Sequence, residues 1–477
     1  MEPRISVIVP VYNPGEYLDP LLRSLDRQTM PVDDFEVIFI DDGSTDGAAT
    51  RLDEWARSRP NAEVVHQPNH GWPGQPRNVG IERSRGTYVY FVDQDDWLGD
   101  EALARLVAYG DANASDVVVG KMKGIGRHVP NDLFKRSVPR AIIGQTPLQD
   151  SQTPHKVFRK SFLDEIGLRF PEGKRRLEDH LFVTTAYLRA HVVSVYADYE
   201  CYIHIVRSDG GNAAYLPFEP AGYYANLEEV LDVIDRYLPA GDVKDRFLQR
   251  WIKNELVRRM RIRSVRDMPR ARRHAFFAEV SRIMRTRIPK SAIALLPLDF
   301  RLGAILECHT TSAQFFRIDR AIEGVLLFGS SVENGIAARL FDGPRRLSAD
   351  ARLSDLLRRH MSPRLAESVV GDFGDDPLLL PHEVQFLPTE GNRVTATRSR
   401  NAGIYSSPEK SGAEGKVLAY TPFGRRVGPI TTEKDLPIRL RIARQRVGGR
   451  VRRTAARAAR TVLGPSAVKR LTSALGH

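Results

Sequence analysis

Hydrophobic and polar positions along the first hundred residues alternate between two periods. Ile5-Ser-Val-Ile-Val-Pro-Val11 is a compact apolar run ended by Asn13-Pro14, which reads as a buried strand. Glu16 to Gln28 then sets Tyr17, Leu18, Leu21, Leu22 and Leu25 at helical spacing. Phe35 to Ile40 is a second buried strand and runs into Asp41-Asp42-Gly43-Ser44. Thr45 or Asp46 caps the next helix, which extends to about Ser58. Ala62 to His66 is a third strand. After the loop Gly71-Trp72-Pro73-Gly74, Gln75 to Arg83 is a short helix with Pro76 tolerated in its first turn. Tyr88 to Val92 is a fourth strand, and it passes directly into Asp93-Gln94-Asp95-Asp96. Strands and helices alternating at this spacing predict an α/β fold with a doubly wound, mostly parallel sheet. In such sheets ligands bind beyond the carboxyl ends of the strands. Tyr12-Asn13, Asp41-Asp42, Asn69 and the Asp93–Asp96 cluster all fall there.

The texture changes further along. Asp179 to Ala190 is a helix opened by Glu178-Asp179, and residues 220–238, 242–263 and 269–287 are three amphipathic helices. Ser291 to Phe316 is a shorter helical stretch. From Glu323 onward, Val325–Phe328, Gly335–Phe341, Glu383–Leu387, Arg393–Thr397 and Lys416–Tyr420 are short strands between Gly, Pro and Asn turns, the pattern of a small β-sandwich-like domain. The predicted organisation is an α/β domain over 1–218, a helical linker over 219–322, a β-rich domain over 323–440 and a basic tail over 441–477.

Composition changes the picture in two places. Two cysteines in 477 residues make no disulfide framework and point to a reducing compartment. The run at Ile5–Val11 is too short for the core of a signal peptide, and no run approaches a membrane span. The net charge is +12, but Arg439 to Arg470 carries 11 Lys/Arg and no Asp/Glu, so removing that segment leaves +1. The basic character therefore belongs to a tail, with a thin apolar face at Val451, Ala455, Ala458, Ala459 and Val462. It reads as a surface helix drawn to anionic lipid or as a disordered tail. No stacking or zinc motif supports a nucleic-acid partner.

The chemistry starts at Asp93-Gln94-Asp95-Asp96. Carboxylates so close repel one another, and a cation is the simplest remedy. Asp93 and Asp95 are two apart, so in extended backbone they project to one side. Oxygen ligands with short reach suit Mg²⁺ or Mn²⁺, which keep positions open for water and substrate phosphate. No Gly-x-Gly-x-x-Gly follows the first strand and there is no phosphate-binding P-loop, which argues against a dinucleotide oxidoreductase and a P-loop ATPase. A nucleotide whose diphosphate is held through a metal is the better fit.

Four motifs in order carry a resemblance: Val9-Pro-Val-Tyr-Asn13, Asp41-Asp-Gly-Ser-Thr-Asp46, Asp93-Gln-Asp-Asp96 and Glu178-Asp179. Together they resemble the family 2 glycosyltransferases of the GT-A fold. Gly74-Gln-Pro-Arg-Asn-Val79, Lys121-Met-Lys-Gly-Ile-Gly-Arg127, Thr153-Pro-His-Lys-Val-Phe-Arg159 and Phe170-Pro-Glu172 narrow this to the wall teichoic acid β-N-acetylglucosaminyltransferases, which decorate poly(ribitol phosphate). The resemblance covers roughly residues 4–220 well and the helices after it loosely. It implies that Pro10 and Tyr12 line a uracil and that Asp42 accepts a hydrogen bond from its ring N–H. It further implies that Asn69, Arg77 and Arg207 steady the nucleotide and its phosphates, that Asp93 contacts ribose or metal, and that Asp95 is a metal ligand, with Asp96 in support. Asp179 becomes the general base and Glu178 the residue that orients it. Lys121, Lys123, Arg127 and Lys156 become the cations that hold a phosphate-bearing acceptor. His204 is either a further metal ligand or a strand-borne core histidine. The loop from Tyr202 to Tyr215 departs from the family's basic loop, and His155 stands where the family has another residue, so His155 receives no role.

The function this implies is inverting, Mn²⁺- or Mg²⁺-dependent transfer of a sugar, N-acetylglucosamine, from a UDP donor to a polyol-phosphate polymer. The cytoplasmic face of the cell membrane is the expected place, with the tail as anchor and the C-terminal region as a possible oligomer contact. Two alternatives stay open: a family 2 transferase for another surface polysaccharide, and a non-catalytic polymer- or membrane-binding protein on a GT-A fold.

Overall fold

A computed structural model of the chain describes residues 2–207, 209, 218–260, 265, 268–296, 298–322 and 361–373, together with short strand segments between 326 and 427. The chain divides into two compact units, one of residues 1–252 with 269–295 and one of 253–268 with 296–477.

The first unit is built on an eight-stranded sheet in the order β3-β2-β1-β4-β7-β6-β8-β5. Its strands are β1 (Ile5–Val11), β2 (Phe35–Asp41), β3 (Ala62–His66), β4 (Tyr88–Phe91), β5 (Trp97–Leu98), β6 (Val117–Ile125), β7 (Val157–Arg159) and β8 (Val193–Ile205). β3, β2, β1 and β4 are parallel, as the alternation of strand and helix predicts. The other half is mixed: β7 runs antiparallel between β4 and β6, β6 and β8 are parallel, and β5 closes the edge antiparallel to β8. Six of the eight strands therefore run in one direction, as a mostly parallel sheet predicts, with only β7 and β5 opposed. β1 and β2 are buried at every position, which is why they read as unbroken apolar runs.

Helices α1 (Leu18–Asp26), α2 (Ala48–Ala56), α3 (Gly74–Arg83), α4 (Ala102–Ala112), α5 (Lys160–Glu165) and α6 (Glu178–Arg189) flank the sheet. The N-cap of α2 is Gly47 rather than Thr45 or Asp46, but Asp46 just before it still ties the helix start down: Ala48 N–H donates to its Oδ1 at 3.0 Å, and Gly15 N–H donates to Oδ2 at 2.7 Å. α3 lies hard against β1. A Cβ added at Gly80 would come within 2.2 Å of Ile8 Cγ2, so only glycine permits this depth. α6 is fixed by an aromatic cluster. Phe182 stacks on Phe170 at 3.8 Å and meets Phe91 and Phe158 edge-on. Three linker helices complete this unit, α7 (Pro220–Tyr237), α8 (Asp242–Trp251) and α9 (Arg270–Thr286), with the short α10 (Lys290–Ala294) after them. α7 packs along α6, and α9 along α7. The helix predicted over 242–263 is interrupted, since α8 is followed by a π-helical turn over Ile252–Val257 and an α turn over Arg258–Met260.

In the second unit, α11 (Leu298–His309), α12 (Ser312–Ile322) and α13 (Pro363–Phe373) are helices, and α11 packs on α13. α13 lies inside the segment read as β-rich. Two four-stranded antiparallel sheets account for the described strands. One holds β10 (Ile336–Asp342), β11 (Arg345–Arg346), β13 (Glu383–Pro388) and β14 (Val394–Thr395). The other holds β9 (Leu326–Phe328), β12 (Leu378–Leu379), β15 (Ala419–Tyr420) and β16 (Arg426–Val427). The basic tail over 441–477 and most of the loop between Tyr202 and Tyr215 lie outside the described residues.

Candidate active site

The carboxyl ends of β1, β2 and β4 converge, and the loops that leave them are laced together. Asn13, with φ of +45°, accepts from Thr45 N–H at 2.7 Å, and its own N–H donates to Ser44 Oγ at 3.1 Å. Gln94, between two acids of the cluster, pairs with the backbone of Tyr12 in both directions, accepting from its N–H at 2.7 Å and donating to its carbonyl at 3.0 Å. The side-chain amide therefore joins the predicted base-binding loop to the carboxylate cluster. Sequence reading passed over Gln94. Tyr12 is half exposed beside it, while Pro10 is buried in β1. Asp42 is buried, and its Oδ1 accepts from Gln67 Nε2 at 2.7 Å and from His70 N–H at 3.1 Å. Asn69 is exposed beside it.

The carboxylate cluster is differentiated by its surroundings. Asp93 Oδ1 accepts from Arg77 Nη2 at 2.9 Å, and Oδ2 lies 3.4 Å from His155 Nε2. Burial opposes its charge, but His155 and Arg77 outweigh that and hold the carboxyl at about 2. Arg77 is the lasting charge of the two, because burial drives His155 well below its usual range and leaves it neutral. Burial, and then the charge of Asp93, pushes Asp95 up to about 6. Asp96 is fully enclosed: Tyr202 donates to its Oδ2 at 2.7 Å and Ile205 N–H to its Oδ1 at 2.8 Å. Burial and the two neighbouring acids raise it well above the carboxylate range. Burial, then the charge of Arg127, lowers His204 to about 4.

Among the described residues, the group able to hold a metal is Asp96, His155 and His204, whose donor atoms lie within 4.8 Å of one another. Of the predicted metal set, Asp93, Asp95 and His204, only His204 is in that group. The residues fit a divalent cation. His155 Nδ1 is buried with no hydrogen-bond partner, two imidazoles are uncharged, and three acids crowd one strand end.

Arg77, expected to steady the nucleotide and its phosphates, is 3% exposed and wedged between two acids. Nη2 bonds Asp93, and Nη1 lies 3.6 Å from Glu178 Oε1. Its neighbour Asn78 pins the chain ahead of α6, donating to Phe170 O at 2.9 Å and accepting from Phe170 N–H at 2.8 Å. α3 therefore ties the carboxylate cluster to the start of α6. Leu177 precedes that start with φ of +63°, an uncommon conformation for leucine that aims Glu178 and Asp179 from the first turn. Burial raises the Asp179 carboxyl above its usual value, with Glu178 adding to it and His180 and Arg77 opposing. His180 N–H donates to its Oδ1 at 2.9 Å.

The four cations expected to hold an acceptor separate. Lys156 is fully buried; Nζ donates to Ser151 Oγ at 3.0 Å and to Thr153 O, and burial pushes it down to about 7 against the pull of Asp179. It cannot reach a surface polymer. Lys123 is exposed and paired with Glu200 at 2.7 Å. Lys121 lies beside a β-bulge of β6, and Arg127 follows that strand, close enough to act electrostatically on Asp95 and His204. Arg207 lies over the Tyr17 ring at 4.6 Å and bonds Asp209 through two nitrogens, at 3.0 and 2.7 Å. A cavity of about 520 Å³ lies there, lined by Asn13, Tyr17, Asp46 and Arg207 among others.

A parallel half-sheet with acids at its strand ends, and a helix-borne acid facing them, defines a GT-A nucleotide-sugar transferase fold. The comparisons agree. Residues 6–167 match the model of glycosyl transferase family 2, and residues 220–307 match that of the glycosyl transferase TarS linker domain. The chain is 32% identical to the poly(ribitol-phosphate) beta-N-acetylglucosaminyltransferase TarP of Staphylococcus aureus over 236 residues, 48% of this chain and 72% of that protein. It is 38% identical to the poly(ribitol-phosphate) beta-glucosyltransferase of Bacillus spizizenii, over 48% of this chain and 37% of that one. The crystal structure of S. aureus TarS 1-349 in complex with UDP-GlcNAc superposes with a TM-score of 0.59 at 29% identity, covering 67% of this chain and 90% of that one. This chain belongs to the family 2 glycosyltransferases, and its homologues are poly(ribitol-phosphate) glycosyltransferases. It spans under two fifths of the length of the first curated relatives, 37% and 39%.

Proposed function

We propose that the chain transfers N-acetylglucosamine from a UDP donor to a hydroxyl of a polyol-phosphate polymer, inverting the anomeric centre. The observation that carries this reading is the Asp93–Arg77–Glu178 bridge, which joins the acids at the end of β4 to the first turn of α6. Donor-binding and acceptor-activating acids are thereby held as one assembly. Asp179 takes the proton of the acceptor hydroxyl as its oxygen attacks the anomeric carbon, and UDP departs from the opposite face. A carboxylate whose affinity for protons is raised by burial is the stronger base for this task. Tyr12 and Asp42 hold the uracil, and Asp93 the ribose. Asp42 shares or exchanges its bonds with Gln67 and His70 when the base N–H arrives. A divalent cation, when bound, supplies neutralisation of the charge that develops on the departing diphosphate. Asp96 and His204, with Asp95 beside them, would hold it. Lys121 and Arg127 remain the acceptor-phosphate contacts, and Arg207 meets the diphosphate once released from Asp209.

One observation favours a second donor, UDP-glucose: the 38%-identical relative from B. spizizenii is named a glucosyltransferase. We place the enzyme at the inner membrane face, held by its basic tail; among the described residues no helix is long and apolar enough to cross a membrane. The test is UDP release with purified poly(ribitol phosphate) and each donor in turn, with the anomer of the product read by NMR. Asp179→Asn is expected to lose about 10²–10⁴-fold in turnover. Wild-type turnover in that variant, or no UDP release from either donor with any polyol-phosphate acceptor, overturns the reading.

A further inference from the structure

We propose that His155 is a protein ligand of the divalent cation, so that this chain grips its metal with two imidazoles and favours Mn²⁺ and Co²⁺ over Mg²⁺. The inference deepens the reading of this centre as a cation-assisted donor site and rests on it, but it concerns metal affinity rather than transfer.

The geometry points there from three directions. First, one ring nitrogen of His155, one of His204 and a carboxylate oxygen of Asp96 lie within 4.8 Å of one another. Metal–ligand bonds of about 2.0–2.2 Å put neighbouring donors about 3 Å apart, so closing the triad needs movements on the order of 1 Å. Second, the donors retain capacity. Asp96 accepts one bond on each oxygen, from Tyr202 and from Ile205 N–H, and once a bound cation displaces its proton the carboxylate offers about four lone-pair sites. His155 is 2% exposed, its Nε2 leans on Asp93, and Nδ1 is a buried nitrogen without a hydrogen-bond partner. An imidazole with a carboxylate beside one nitrogen and no hydrogen-bond partner on the other is the arrangement that metal-binding histidines adopt. Third, the ring is held. His155 stacks on Tyr202 at 4.2 Å with 16° between planes and meets His204 edge-on at 5.4 Å. Tyr202 in turn donates to Asp96 and accepts from Asp93 N–H at 3.1 Å. One tyrosine thus braces two acids and one imidazole, a support that a core histidine packed only for volume would not require.

Ligand chemistry sets the preference. Mg²⁺ favours an all-oxygen shell and sheds water reluctantly, whereas imidazole suits later first-row ions. Two nitrogen donors therefore tilt the site toward Mn²⁺, and toward Co²⁺ further still. The experiment uses the full chain. Mn²⁺ binding is followed by EPR titration, with Mg²⁺ and Co²⁺ as competitors, and nitrogen coupling to bound Mn²⁺ is read by pulsed EPR. Wild type is expected to show coupling from two imidazoles and at least about tenfold preference for Mn²⁺ over Mg²⁺. His155→Gln is expected to show one imidazole and about 10–100-fold weaker Mn²⁺ binding. The wild-type spectrum decides the matter even if the variant fails to fold. Coupling from one imidazole or none in wild type, or Mn²⁺ bound equally tightly by a folded His155→Gln, overturns the proposal. Two imidazoles on the metal with no UDP release from any donor would sustain it while removing the transfer reading.

Discussion

Replacing Arg77 by methionine keeps the length of the side chain and deletes the cation at the centre of the site. In the wild type Asp93 and Glu178 lie 2.9 and 3.6 Å from its two terminal nitrogens. Asp93 is held at about 2 instead of 3.8, which corresponds to roughly 2.5 kcal/mol in favour of its ionised form; His155 and Arg77 share that shift, so it is an upper bound on what Arg77 supplies. Its side chain is 32% exposed, so solvent screening trims the share of stability to about 1–2 kcal/mol. Glu178 is more deeply enclosed, and stranding a buried charge costs about 3–5 kcal/mol. Arg77→Met should therefore destabilise the catalytic unit by about 3–5 kcal/mol at pH 7, measured by urea unfolding. The sign with pH is distinctive. A lowered carboxyl stabilises the fold above its unfolded value and loses that contribution as pH falls from about 4 through 2. In the variant Asp93 loses the guanidinium while burial still raises its carboxyl, so its protonation relieves the strain earlier. The deficit should shrink between pH 7 and pH 5, and adding Glu178→Gln should restore part of it. A deficit under about 1 kcal/mol at pH 7, or one that is the same at both pH values, would refute the bridge.

Further expectations follow from other packed or paired groups. Phe182→Ala removes the ring at the centre of the cluster behind α6 and should cost about 3–5 kcal/mol in unfolding experiments, with turnover falling as Asp179, the proposed base, loses its seat. His66 sits between Asp41 at 2.9 Å and Asp53 at 3.0 Å, and hydrogen bonds to Asp41, then Asp53, raise its pKa above 6.5. Its contribution to stability is complete below pH 6.5 and lost as pH rises through the folded-state value. NMR titration of the ring should show that raised value, and His66→Gln should flatten this part of the stability profile.

The legible and the illegible parts of this chain differ in a physical way. β3 is found at Ala62–His66, where the alternation of period places it, and the linker helices α7 and α9 fall within a residue of their predicted ends. These elements carry their own apolar stripe or run, which is a local signal. The two antiparallel strands of the sheet have no such signal. β7 is three residues long and β5 two, and each is a strand only because a neighbour supplies the partner edge. The helix α13 lies within a segment whose pattern reads as β-rich, although Pro363 at its start and Leu365, Ala366 and Val369 on one face mark a helix.

The same distinction explains the site. Asp42, Asp93 and Asp179 are readable because strand ends and a helix start position them, and those are local features. Arg77 and Lys156 read as ligand-facing cations because residue type says nothing about depth. Arg77 is drawn inward by α3 lying on β1 through Gly80, and Lys156 is enclosed beneath Tyr187. His155 is the clearest case. Its partners Tyr202 and His204 come from β8, far along the chain, and nothing near residue 155 announces them. The sheet does. β7 pairs with β4 antiparallel, with Tyr90 opposite Val157, so continuing the register two places sets His155 opposite Val92, next to Asp93. Beyond β7, β6 pairs with β8, with Gly124 opposite His204. A three-residue strand inserted between β4 and β6 thus carries the histidine to the carboxylates. Asp96, His155 and His204 are brought together only through strand order, so the insertion of β7 is the structural event that carries His155 to the carboxylates.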